Sequence, residues 1–376
     1  MSQFNKGTRA LEKGKYLKAL SHFKKQEGEF KELYLNIGNC YRWLGKDSLA
    51  LDNYILANSK SVPFIDGKYG EYVLALNNIG LLEYAAGNDE NAIAFYKYAL
   101  TLSPLNYESI WNMSIATLRN DIYSAIGWKM YEYRFNRGSG SVRTDKSLER
   151  WDEKSSGDSI CVLTEQGIGD KIMFGRYIHK LSEFFSEITV VCHPSLDVFF
   201  SQWKIARVGS GLAVDLCSLA RIFGVDCSAN WLPYKYSLPS SFRVGVVWCG
   251  SVTHANNHNR SCSKHYFDFI DHVSLVPERS SLDLSTWEKT ISVLLGLSLV
   301  ISVDTSIVHL CGTLGIPCIM VQPLKDHDFR WGNTYRGDVQ KWYPSVTVVH
   351  NNNNWDEAFA TVRELVSSLE IKCIKA

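Results

Sequence analysis

Apolar positions in the first third of the chain recur with helical spacing, and two stretches repeat the same order. When residues 31–57 are laid over residues 73–104, Ile37-Gly38 meets Ile79-Gly80, Gly45 meets Gly87, Ala50 meets Ala92, Tyr54 meets Tyr96 and Ala57 meets Ala99. Small residues let two antiparallel helices approach, a turn glycine accepts a positive φ, and large residues fill the groove between helices. A fainter copy runs through Ala10, Gly14, Ala19 and Phe23, and a degenerate one follows at Ile110, Met113 and Asp121. The copies lie 31 to 42 residues apart, with SKSVPFIDGKYG as an insertion. Three to four units are counted, and because such units bury their apolar faces only by stacking, about three is the minimum for a stable array. A helical solenoid is predicted to residue 136.

Beyond it the pattern changes. RGSGSVRTDKS, residues 137–147, has linker composition. Then SICVLTEQGIGD, EITVVCHPS, RVGVVWCGS, SLVISVDTS and PCIMVQP appear as short apolar runs ending in Gly, Ser, Thr, Asp or Pro. Helical stretches such as KIMFGRYIHKLSEFF and STWEKTISVLLGL separate several of them. Apolar strands alternating with helices predict parallel sheets covered on both faces. One set spans about 158–230 and another starts at 242, which predicts two Rossmann-like halves.

Composition narrows the class. The chain has 376 residues, 45% hydrophobic and 21% charged, a globular balance. No run reaches the ~18 apolar residues of a membrane span, and the first residues carry no apolar signal core, so a cytoplasmic protein is expected. The ten cysteines form no CxxC pair and read as reduced, packed side chains. His254 and His258 are four apart, but HANNHNR is not helical in character and no metal site is expected. Residues 1–150 carry 20 Lys and Arg against 16 Asp and Glu, the remainder 20 against 23. No dense basic run marks a nucleic-acid partner, and composition does not exclude one.

In parallel sheets ligands bind beyond the carboxyl ends of strands, which nominates four loops. The first is Glu165-Gln166-Gly167-Ile168-Gly169-Asp170. Its glycines permit close approach, and Asp170 is either a general base for an acceptor hydroxyl or a helix cap. The second runs from Cys249-Gly250-Ser251 to Arg260, an arginine able to clamp a phosphate. The third is Asp304-Thr305-Ser306, ahead of IVHLCGTLG. A helix start there offers N–H groups to an anion, and His309 lies one turn further on the same side. The fourth, Gln322 to Trp331, brings aromatic and charged residues to a sugar or a base. The chain contains neither G-x-x-x-x-G-K-[ST] nor G-x-G-x-x-G, which disfavours an ATPase or a dehydrogenase.

The repeats resemble the tetratricopeptide repeat, including the closing Pro104. The second part resembles ADP-heptose:lipopolysaccharide heptosyltransferases and, more distantly, O-linked N-acetylglucosamine transferases. The segments that carry this are GWKMYEYRF (127–135), ERWD (149–152), TEQGIGDKIMFGRY, VGVVWCGS with NNHNRS, LVISVDTSIVHLCGTLGIP, DFRW and WYPS (342–345), in order. The resemblance implies an α plus α/β chain. Residues 1–136 form a TPR-like solenoid, 137–150 a linker, and 151–376 a compact GT-B glycosyltransferase domain, with an acceptor-side half to about 240 and a nucleotide-sugar-side half from 241. Residues 151–376 are few for two full Rossmann halves, so a trimmed first half is expected. Cys249-Gly250-Ser251 and Asp338-Val339-Gln340-Lys341 depart from the family pattern.

The implied reaction moves a sugar from a UDP-, ADP- or GDP-sugar to a hydroxyl, with no cofactor and no metal. Asp326-His327-Asp328 is the nearest approach to an Asp-x-Asp. Asp170 and Arg260 take the catalytic roles. Glu165, Gln166, Gly167, Gly169, Gly250, Ser251, Asp304, Thr305, Ser306, His309 and Trp331 are the expected substrate contacts. A macromolecular acceptor, protein, glycan or nucleic acid, is expected on the repeat groove. Two other readings stay open: a bacteriophage-type transferase acting on hydroxymethylated DNA bases, and an interaction protein with a relic transferase domain.

Overall fold

The computed structural model describes residues 2–59, 70–137, 145, 147–225, 230–252, 254, 256–325, 327–332, 342–352 and 354–375. Most of the expected insertion SKSVPFIDGKYG (residues 59–70), most of the expected linker, Asp326 and Asp338–Lys341 lie outside the described residues. The chain forms two compact units, residues 1–120 with 129–140, and residues 121–128 with 141–376.

The first unit is helical throughout its described residues: α1 (Gln3–Glu12), α2 (Tyr16–Phe23), α3 (Lys31–Trp43), α4 (Asp47–Ser59), α5 (Gly70–Ala85), α6 (Asp89–Leu102) and α7 (Tyr107–Asn120). A further helix, α8 (Ala125–Tyr131), follows. Gly14, Gly45 and Gly87 turn each helical hairpin with φ of +66°, +68° and +88°, a conformation that disfavours residues with a Cβ. Inside each hairpin a glycine faces an aromatic ring of the second helix. A Cβ would stand 2.4 Å from the Phe23 ring at Gly7, and 2.5 Å from the Tyr54 and Tyr96 rings at Gly38 and Gly80. Gly7 completes the first copy of the repeat, a position the sequence pattern left unmarked because its neighbours diverge.

The second unit holds two five-stranded sheets. β1 (Glu149–Arg150), β2 (Gly157–Leu163), β3 (Phe185–Val191), β4 (Lys204–Ala206) and β5 (Leu212–Asp215) lie in the order β1-β5-β2-β3-β4. β6 (Val244–Val247), β7 (His272–Ser274), β8 (Leu299–Val303), β9 (Cys318–Pro323) and β10 (Val346–Asn351) lie in the order β10-β9-β8-β6-β7. Every pairing is parallel. The helices are α9 (Ile168–Phe174), α10 (Asp197–Phe200), α11 (Leu219–Phe223), α12 (Asn257–Arg260), α13 (Trp287–Leu295), α14 (Ser306–Leu314) and α15 (Trp355–Lys375).

The strong apolar runs became β2, β3, β6, β8 and β9, and every residue of β6, β8 and β9 is buried. The first sheet has as many strands as the second. Its short strands, β1, β4 and β5 of two, three and four residues, are matched by β6 and β7 of four and three in the second, so the expected trimming does not appear in the sheet. In each sheet the strand order reverses once, between β2 and β5 and between β6 and β8. At such a switch point the outgoing loops diverge and leave a crevice.

Candidate functional site

The loop after β2 closes on itself. Glu165 is buried and accepts a hydrogen bond from the Cys217 N–H at 2.9 Å, which ties the two sides of the first switch point together. Gln166 has φ +66°, the left-handed region that costs a residue with a side chain. Its carbonyl accepts from Lys171 Nζ at 2.6 Å. Asp170 Oδ2 accepts from the Gly167 N–H at 2.9 Å, so the carboxylate reaches back over the start of α9. Its Oδ1 faces Arg330 Nε in an ion pair. Arg330 Nη1 in turn reaches both carboxylate oxygens of Asp328, at 2.9 and 2.8 Å. Burial pushes the Asp170 carboxyl above its usual value, with Arg330 opposing it.

The loop after β8 is built differently. Thr305 takes the N-cap position of α14 with φ −147° and ψ 172°, but its hydroxyl makes no capping bond and lies 3.3 Å from Ser302 Oγ. Asp304 is held at about 6 by burial and by Asp328, against Arg260, a Trp331 hydrogen bond and Arg330. His309 is buried in an aromatic stack, parallel to Trp331 with centroids 4.5 Å apart and with Nδ1 3.1 Å from Tyr343 Oη. Burial drives its pKa down to about 3, so it is a neutral imidazole.

These loops, distant in sequence, meet. A Cβ on Gly169 would lie 2.7 Å from His309 Cδ2, so only glycine fits there. The Asp170–Arg330 pair forms alongside. Arg176 reinforces the junction: its Nη1 donates to the Trp342 carbonyl at 3.1 Å, and its guanidinium covers the Tyr343 ring at 4.9 Å. Gly312 lets α14 lie flat on Tyr343, where a Cβ would come within 2.3 Å of the ring. Trp128 packs edge-on to Phe174 of α9, 5.9 Å between centroids. The segments FGRY, LCGTLG and WYPS are thus one packed joint.

A cleft of about 1220 Å³ opens at the second switch point. Gly250 and Ser251 line it after β6, and Thr305, Ser306 and Ile307 line it at the uncapped start of α14. Pro194 and Ser195, which follow β3, contribute from the first sheet. Behind the cleft wall, Arg260 Nη2 would sit 2.6 Å from a Cβ at Gly250, and Arg260 Nε is buried with no hydrogen-bond partner among the described residues.

Among the candidates from the sequence, Gly250, Ser251, Thr305 and Ser306 line the cleft. Glu165, Gln166, Gly167, Gly169, Asp170, Arg260, Asp304, His309 and Trp331 are not in its lining. Trp331 is fully buried beneath His309. Sequence reasoning missed Glu278, Arg279, Trp287 and Glu288, which line the cleft beyond β7 and at the start of α13. Ser285-Thr286 ahead of an apolar helix was the available signal, since Thr286 caps α13 through the Lys289 N–H. Among the described residues no group of three His, Cys, Asp or Glu side chains is arranged to hold a metal, and no helix is long and apolar enough to cross a membrane.

No family model matches the chain, and no curated protein matches it either. Among solved structures, a mutant O-GlcNAc transferase of Thermobaculum terrenum covers 99% of this chain and 91% of its own, at 10% identity and a TM-score of 0.38. The first TPR of Spaghetti (RPAP3), bound to an HSP90 peptide, covers 31% of this chain and 87% of its own, at 23% identity and a TM-score of 0.27. At these values neither likeness bears on function, which rests on the geometry of the site.

Proposed function

We propose that the second unit is a glycosyltransferase that moves a sugar from a nucleoside diphosphate sugar to an acceptor hydroxyl. The observation that carries this reading is the cleft at the second switch point, bordered by a nine-residue helix whose first turn has no side-chain cap. Backbone N–H groups at Thr305 and Ser306 bind the diphosphate, and the helix dipole favours its charge. Arg260, whose Nε has no partner among the described residues, lies behind Gly250 and offsets the charge that develops on the leaving group. These groups supply positive charge without a metal ion.

In the transfer, the acceptor oxygen bonds to the anomeric carbon as the bond to the diphosphate breaks, and the hydroxyl proton passes to Asp170. Asp170 lies outside the cleft lining and is ion-paired, so it serves as base only after Arg330 has moved wholly onto Asp328, its second partner, and the carboxylate has turned to the acceptor. A panel of UDP-, ADP- and GDP-sugars tests the proposal by thermal shift and by nucleotide release. One nucleotide class is expected to raise the melting temperature and to release its diphosphate. A chain that none of them stabilises is not a nucleotide-sugar enzyme.

A further inference from the structure

The helical unit has a pocket that the transferase reading does not use. It occupies about 420 Å³ among α1, the start of α2, α3 and α5, within the roughly 300–1,000 Å³ of small-molecule sites. Tyr16 and Trp43 form one wall, with rings parallel to within 5° and centroids 5.7 Å apart. Trp43 is 57% exposed, unusual for so large an apolar side chain. Across from them lie two amides. Asn39 Oδ1 accepts from Tyr54 Oη at 2.8 Å and from Asn78 Nδ2 at 3.0 Å. Asn39 and Asn78 both line the pocket, so this amide pair brings hydrogen-bonding groups to it. Glu12 adds a carboxylate to the lining, and Arg42, outside it, holds its guanidinium 5.8 Å from the Trp43 ring centre.

We propose that this pocket binds a saccharide of about two pyranose rings. A pyranose has a face of C–H groups that packs on an aromatic plane and an edge of hydroxyls, each of which both donates and accepts. An outer face of the stacked Tyr16–Trp43 pair offers the plane, and the amide pair with Glu12 offers donors and acceptors. A cationic ligand fits less well. It seeks ring faces directed at it from several sides, whereas these rings are parallel and Arg42 already places positive charge against Trp43. An extended peptide needs a file of backbone partners along its length, with side chains alternating at each residue. This pocket presents a single amide pair beside a flat aromatic surface.

The test uses the full chain and makes no use of transfer activity, so it stands or falls apart from the transferase reading. Cellobiose, N,N′-diacetylchitobiose and lactose are titrated while the tryptophan indole N–H signals are followed by NMR, the Trp43 signal being assigned from Trp43→Phe. At least one disaccharide is expected to shift that signal saturably. Trp43→Ala is expected to weaken binding about tenfold or more, and Tyr16→Phe, which keeps the ring, to retain it. Trp43 is largely exposed, so the variant should fold, and helical circular dichroism checks this. Glu12→Gln gives a second reading on a residue outside any helix contact core, with a smaller loss expected. The proposal is overturned if no disaccharide moves the Trp43 signal, if Trp43→Ala binds as the parent does, or if an unstructured Ser/Thr-rich peptide occupies the pocket while the disaccharides do not.

Discussion

The loop after β2 and the loop after β8 both leave the carboxyl end of a central strand beside a switch point, yet they are finished in opposite ways. In the first, the functional groups answer one another: Glu165 the Cys217 N–H, Asp170 the Gly167 N–H and Arg330, Lys171 the Gln166 carbonyl. In the second, the start of α14 is uncapped and borders the cleft. A carboxylate beside glycines marks a position where chemistry is possible. Whether the position works as a lock or as a receptacle depends on which polar groups the fold has already paired.

The sharpest way to break this comparison is Asp170→Asn. Asparagine keeps the shape and the bond to Gly167 but removes the basicity. Sugar transfer is expected to fall roughly 10²–10⁴-fold, with donor affinity unchanged. Transfer at the parental rate would leave Asp170 as a component of the lock alone.

Removing the other side of the pair comes next. Arg330→Ala leaves Asp170 nearly buried without its cation, and a loss of about 3 kcal/mol in urea denaturation is expected. Asp170→Asn in the same chain should recover much of that loss, because it removes the stranded charge. A loss below about 0.5 kcal/mol would show that the ion pair does not hold the loops together.

For the receptacle, Ser306→Pro removes a backbone N–H proposed to meet the diphosphate, at the first helical position, which tolerates proline. Nucleotide binding, measured by calorimetry, is expected to weaken by about 1.5–3 kcal/mol, the range for a charge-assisted hydrogen bond. Unchanged affinity would move the diphosphate elsewhere in the cleft.

The smallest effect concerns pH. His309 titrates near 3 in the fold and near about 6.5 when unfolded. Between these values the unfolded chain binds the extra proton, so acidification removes stability, by about 2 kcal/mol from pH 7 to pH 5. Asp304 acts in the opposite sense. Its folded value of about 6 lies above the unfolded carboxyl, so the folded state holds the extra proton and regains about 1 kcal/mol over the same interval. The net loss is expected to be small in the parent and to turn into a gain in His309→Gln, compared by urea denaturation at pH 7 and pH 5. Equal acid sensitivity in both chains would mean that His309 is not the buried neutral base described.

Much of this architecture was legible from residue pattern. The glycine turns at Gly45 and Gly87 and the buried strands β6, β8 and β9 announce themselves, because burial on both faces leaves few polar residues, Ser302 and Gln322, to blur the signal. β4 and β7, three residues each, are too short to carry a period. β10 was readable in VTVVHN but stands beside an asparagine run that suggests a loop. For the site, the sequence pointed to loops that the fold brings together but not to how their polar groups pair. The Asp170–Arg330–Asp328 chain joins residues 160 positions apart, and nothing local to Asp170 foretells a guanidinium there. Trp331 looked like a ligand platform because aromatic residues near a loop suggest one, whereas His309 already fills its face.

The three glycine–aromatic contacts, Gly7 on Phe23, Gly38 on Tyr54 and Gly80 on Tyr96, also bear on how such a chain changes over time. Each hairpin carries its own glycine–aromatic closure, made wholly within that hairpin. Duplication or loss of a whole hairpin therefore leaves every remaining closure intact, whereas enlarging any one of these glycines damages its own hairpin at once. The helical array is free to vary in number while being held nearly fixed in kind.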